Sequence, residues 1–351
     1  MKRYIVILTA ILVLFSTFIL TSCYKEADPP APASGSPNPS KITPEKAAAN
    51  ALITLTGSGL GDVRSIIFEK ENVPAGINPT LNTDGALIFR VPTDAVPGPQ
   101  KIILKNGAGV EFKVDFNVLG FATITDVSNF NFSSGSEITL TGKNLDDVVK
   151  VTLQGTTTQA TVKSKNATSL VLTMPTSDLT QAKLAIENGA GVSVTTQEFV
   201  NLDKAFKLFT DDYAPGYQNA SWGPAGVSTT ESKTGTSSFF MTFPKGNWWQ
   251  GGFGWTNTAN DNFKFLSFWI KGGAETHDLY IWSQQSPAGF GTFENYNKIT
   301  VPANVWTYFK IPINDLKLWA NGSEWNQFGW RIQGPNNQDL TFYVDDVVLI
   351  K

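Results

Sequence analysis

The chain has 351 residues, a formal net charge of −3 and only 16% charged residues, so it lacks the basic footprint that nucleic acid requires. One histidine and one cysteine leave no His-based metal cluster and no internal disulfide. Stability must therefore come from apolar cores, and a chain of this length allows two to three of them.

The first segment reads as a secretory leader. Lys2 and Arg3 precede an apolar run over residues 4–20, which Leu20-Thr21-Ser22-Cys23 closes. That tetrapeptide resembles a bacterial lipobox, which implies cleavage after residue 22 and acylation of Cys23, the sole cysteine. Tyr24-Lys25-Glu26-Ala27-Asp28 resembles the surface-export signal of Bacteroidota lipoproteins. Residues 29–40 are rich in Pro, Ala, Ser and Gly without apolar period. This composition predicts a tether, so residues 23–40 form an acylated cysteine and flexible linker.

Beyond residue 40 the apolar residues come in short runs bounded by Gly, Asn, Asp and Pro, which predicts an all-β chain. Two segments repeat in order. Ile53-Thr54-Leu55-Thr56-Gly57 returns as Ile138-Thr139-Leu140-Thr141-Gly142, and Asn106-Gly107-Ala108-Gly109-Val110 returns unchanged from Asn188 to Val192. Asp62-Val63 and Asp147-Val148 follow the same spacing, about 82–85 residues. The repeat predicts two copies of one sandwich, over residues 41–120 and 121–202, with the Asn-Gly-Ala-Gly stretch as a hairpin turn. The pattern resembles the IPT/TIG domain, an immunoglobulin-like module that serves mostly as spacer or interaction unit. No Trp or His occurs in either copy.

All ten tryptophans lie between Trp222 and Trp330. Leu266, Phe268 and Ile270 alternate on one face of a predicted strand, and further strands cover residues 278–283, 301–313 and 341–349. This succession resembles carbohydrate-binding modules with a β-jelly-roll fold, here over residues 203–351. The order of leader, tether, two IPT/TIG-like domains and Trp-rich module resembles the surface glycan-binding proteins of Bacteroidota polysaccharide-utilisation systems. The resemblance implies an outer-membrane, surface-exposed, lipid-anchored protein. It would bind polysaccharide without catalysis and work beside an outer-membrane glycan-uptake complex. A β-linked glucan or mannan is the expected glycan.

Alternation separates core rings from ligand rings. Leu279 and Ile281 should face the core, leaving Tyr280, Trp282 and Gln284 opposite; Phe328, Trp330 and Ile332 should be core, leaving Arg331 and Gln333 opposite. Of the adjacent Trp248 and Trp249, at most one should reach a ligand, and at least one of Trp319 and Trp325 should stand exposed. Trp269 and Trp306 are assigned to structure, and Trp222 and Trp255 to neither role. No cofactor is required. Related modules hold a structural calcium near the chain ends, which implicates Asp211, Asp212, Asp345 and Asp346. Two other readings of the module stand. A glycosidase needs only two facing carboxylates, for which Asp261, Glu275, Asp278, Glu294, Asp315 and Glu324 are available. An adhesin would use the same aromatic surface to dock a protein.

Overall fold

The computed structural model describes residues 31–246, 250–333 and 336–351. Cys23, the leader, Trp248 and Trp249 lie outside the described residues. Among the described residues the chain is all-β apart from short helical turns, and it divides into two compact units at the boundary between Gly120 and Phe121.

The first unit is a two-sheet sandwich. One sheet orders Asn38–Thr43, Leu52–Ser58, Ala86–Arg90 and Ile77–Asn82. The other orders Lys46–Ala48, Glu111–Leu119, Gly98–Asn106, Val63–Phe68 and Val73–Pro74. Ile53, Leu55, Ile66, Phe68, Ile102 and Leu104 close the space between them. In the second repeat Ile138, Leu140, Val151, Leu170 and Ile186 do the same work.

The repeated motifs have a common physical cause. A side chain at Gly57 would meet the Asn38 carbonyl oxygen at 2.4 Å, and one at Gly142 would meet that of Thr123 at 1.8 Å. Each glycine lets the sandwich's first strand cross closely, beside a register shift in that strand. The Asn-Gly-Ala-Gly stretches are hairpin turns, joining Gly98–Asn106 to Glu111–Leu119 and Leu184–Asn188 to Gly191–Val194. The asparagines act through their side chains. Asn106 Oδ1 accepts the N–H groups of Ala108 and Val110 at 3.1 and 3.0 Å, and Asn188 Oδ1 accepts that of Ala190 at 3.0 Å.

The C-terminal module is a jelly roll of two facing sheets. The six-stranded sheet orders Ala225–Ser228, Ser238–Phe243, Leu340–Ile350, Phe265–Lys271 and Trp306–Pro312, with Phe206–Phe209 also pairing to Leu340–Ile350. The five-stranded sheet orders Gln218–Asn219, Gln250–Ala259, Glu324–Ile332, His277–Ser283 and Lys298–Val301. Leu266, Phe268, Ile270, Leu279, Ile281, Phe328, Trp330 and Ile332 all lie in the core between them, on the sides that alternation assigns.

This module and the second repeat belong to one unit. Phe130 stacks on Tyr308 at 4.7 Å and lies 5.8 Å from Trp269, whose indole N–H donates to Asn129 Oδ1 at 2.8 Å. Lys310 Nζ donates to Gln181 Oε1 at 2.6 Å and Glu198 Oε2 at 2.5 Å. The structural role of Trp269 is thus to join two domains. Trp306 is half-buried and outside the core cluster, because its strand is the edge of the sheet.

Candidate functional site

The outer face of the five-stranded sheet is built in rows across its strands. Gln250, Arg331 and Tyr280 are cross-strand partners in one row; Gly252, Gly329 and Trp282 form the next; Gly254 pairs with both Gln218 and Gln327 in the third. Partners in register share a face. The glycines are required by close approach, since a side chain at Gly252 or Gly329 would meet a carbonyl oxygen of the neighbouring strand at 2.2 Å.

What covers this face decides its chemistry. The connection after Ser283 folds back over the sheet and places Phe290 against Trp282, with ring centroids 4.5 Å apart and planes at 68°. Trp222 comes from the opposite edge, its backbone N–H donating to the Gln250 carbonyl at 3.0 Å, and its ring meets Phe290 edge-on at 5.3 Å. The guanidinium of Arg331 lies 5.4 Å from the Trp222 centroid and 4.9 Å from that of Phe293. Phe293 in turn meets Tyr280 at 5.2 Å. Rings supplied by loops therefore roof the sheet. Trp282 is 0% exposed and Arg331 1%, whereas Trp222 is 46% exposed. Burial lowers the Arg331 pKa to about 10, which leaves it charged at neutral pH.

The arrangement corrects several expectations. Trp282 sits on the expected face yet is no open platform, because Phe290 covers it. Arg331 is likewise covered and serves as a cationic support for two rings. Trp325 is core, and Trp319 packs against it at 5.7 Å with its indole N–H on the Thr258 carbonyl at 2.9 Å. Neither stands exposed, because both close the end of the jelly roll. Tyr280, Gln284 and Gln333 are accessible. Tyr280 Oη donates to Gln333 Oε1 at 3.2 Å, and both line a cleft of about 400 Å³ with Thr276, His277 and Asp278. Pattern reasoning missed Phe290 and Phe293. The signal was present: Gly289-Phe290-Gly291 places a large ring between two glycines in a loop.

The four aspartates accept hydrogen bonds from the chain. Asp345 Oδ2 accepts the N–H groups of Lys233 and Thr234 at 2.8 and 3.0 Å, and its Oδ1 accepts that of Asp346 at 2.8 Å. Asp346 Oδ2 accepts from Asn131 Nδ2 and Thr234 Oγ1, both at 3.1 Å. Asp211 accepts the amides of Thr236 and Ser237, and the exposed Asp212 accepts that of Tyr213. Among the described residues no three acidic, His or Cys side chains converge. Positive charge comes from Lys233, whose ammonium lies 4.2 Å from the Trp269 centroid and is attracted by Asp126 and Asp345. Donors of the chain thus occupy both carboxylate oxygens of Asp345 and one oxygen each of Asp211, Asp212 and Asp346, the four residues of the calcium expectation.

No curated protein matches the chain. Among solved structures, it resembles the SGBP-B of a complex xyloglucan utilization locus in Bacteroides uniformis, at 16% identity over 90% of this chain and 99% of that one, with a TM-score of 0.43. A surface glycan-binding protein from Prevotella bryantii gives 16% identity over 91% and 99%, with a TM-score of 0.43. The family 11 carbohydrate-binding module of a cellulosomal cellulase from Clostridium thermocellum gives 18% identity over 42% and 94%, with a TM-score of 0.30. The profile of the IPT/TIG domain matches residues 122–206, the second of the two repeated sandwiches.

Proposed function

We propose that the C-terminal module binds a neutral polysaccharide, a β-linked glucan or mannan, without cleaving it. The observation that carries this reading is the aromatic surface of Trp222, Phe290, Phe293 and Tyr280, laid over buried Trp282 and Arg331 and rimmed by Gln284 and Gln333. Rings fixed from beneath offer flat apolar faces to sugar C–H groups, and side-chain amides offer both donors and acceptors to hydroxyls. Rigid support lowers the ordering cost of binding.

The electrostatics favour binding over hydrolysis. A glycosidase keeps one carboxyl protonated as its acid. Asp278, the carboxylate in the Tyr280–Gln333 cleft, is held below the usual carboxylate range, chiefly by a hydrogen bond from Thr300 and further by Lys298. The carboxyls raised by burial are Asp345 and Asp346, which sit on the other sheet. The two sandwiches serve as spacers. Acylation at Cys23 would tether the chain to the outer membrane, where it would hand glycan to an uptake complex.

The test is calorimetric titration of the whole chain with β-glucans and mannans, paired with a reducing-sugar assay. Saturable heat without sugar release is expected. Sugar release would replace the reading with an enzyme, and no heat with any glycan would remove it in favour of protein adhesion.

A further inference from the structure

Trp255 stands apart from the aromatic surface described above. It is 57% exposed, the most of any tryptophan among the described residues. Strict alternation along Gln250–Ala259 would give it the side of Phe253, which is core. It escapes because its backbone is left-handed, with φ of 75°, inside a register shift between Gly254 and Thr258. A bulky residue in that region is uncommon. Bulges of this kind re-aim side chains, and such strain persists where the exposed group has a use.

The neighbourhood suits a sugar. Gly254, the preceding residue, pairs with exposed Gln218 on one side and half-buried Gln327 on the other. The row continues to exposed Gln284, whose N–H donates to the Gln327 carbonyl at 3.0 Å. This amide row crosses the sheet between Gln250, to which Trp222 is bonded, and Trp255. Five residues of strand separate those positions, about 17 Å, or roughly three to four pyranose units.

We propose that Trp255 is a second saccharide-stacking ring, so that the module reads an extended glycan across Trp222, the Gln218–Gln327–Gln284 row and Trp255. This rests on the glycan-binding reading. It adds a minimum chain length to the ligand and a residue that supplies it. Trp255 contributes only to chains that reach it, whereas Trp222 contributes to all.

The experiment titrates the whole chain with a β-glucan or mannan oligosaccharide series from disaccharide to hexasaccharide. The wild type is compared with Trp255→Gly and Trp222→Ala. Trp255→Gly removes the ring and relieves the left-handed backbone, so its melting temperature should equal or exceed the wild-type value. Its affinity for hexasaccharide should fall by at least about fivefold, the ratio a ring contact supports, with disaccharide and trisaccharide unchanged. Trp222→Ala should weaken every length. Wild-type hexasaccharide affinity in a folded Trp255→Gly protein overturns this inference alone. Failure of the wild type to bind any member overturns the glycan reading and this inference with it.

Discussion

Trp282→Ala separates a supporting ring from a contacting ring. Alternation by itself assigns Trp282 to the ligand and would have its loss weaken binding while sparing the fold. The structure reverses the order of effects. The indole is fully buried, with Phe290 at 4.5 Å. Truncation leaves a cavity and costs about 3–5 kcal/mol. For a cooperative unit of this size each kcal/mol lowers the melting temperature by about 2–4 °C, giving a drop of roughly 6–20 °C. Trp222→Ala removes a ring that is 46% exposed and should cost about 1 kcal/mol of stability, since less apolar area is withdrawn from water. The assay is differential scanning calorimetry of both variants, with titration corrected for the folded fraction. Trp282→Ala should melt far below Trp222→Ala, and Trp222→Ala should lose more affinity per folded molecule. Equal melting temperatures would refute the account of Phe290 as cover.

Three further outcomes follow from the same contacts. Burial, then the charge of Asp346, raises the Asp345 pKa to about 7, against about 3.9 for an unfolded aspartate. Between those values the fold holds a proton that the unfolded chain has released. This contribution to stability is therefore fully present below pH 4 and is lost as pH rises through 7. The urea midpoint of the second unit should fall from pH 5 to pH 8, and Asp345→Asn should flatten that slope; an unaltered slope counts against the assignment. Phe130→Ala removes the half-buried ring that stacks on Tyr308, at a cost of about 1–3 kcal/mol, less than a full core truncation. It should split the melting of the second unit into two transitions, whereas a single sharp transition would mean the domains are not held by this ring. Cys23→Ala should move the protein from the membrane to the soluble fraction with glycan affinity unchanged, and retention in the membrane would count against acylation there.

The repeated sandwiches were legible because each shared residue answers one local demand. Gly57 and Gly142 permit a close strand crossing, and Asn106 and Asn188 tie the same hairpin. The jelly-roll core was legible because Leu279, Ile281, Phe328 and Trp330 alternate on straight strands. Which rings meet solvent was not. Alternation gives the face of Trp282 and Arg331 but says nothing of Phe290, Phe293 and Trp222, which arrive from loops to cover them. Nor does it speak where the pattern breaks. Trp222 follows a strand of only two residues, and Trp255 sits in a bulge with left-handed backbone. These two, undecided by pattern, are the most exposed tryptophans among the described residues. Alternation did place the accessible Tyr280, which lies on a straight strand, but it has nothing to say of rings set where strand geometry ends or breaks. Places where local pattern and fold disagree are expected to be functional or strained, which is the ground on which the proposed glycan surface takes in Trp222 and Trp255.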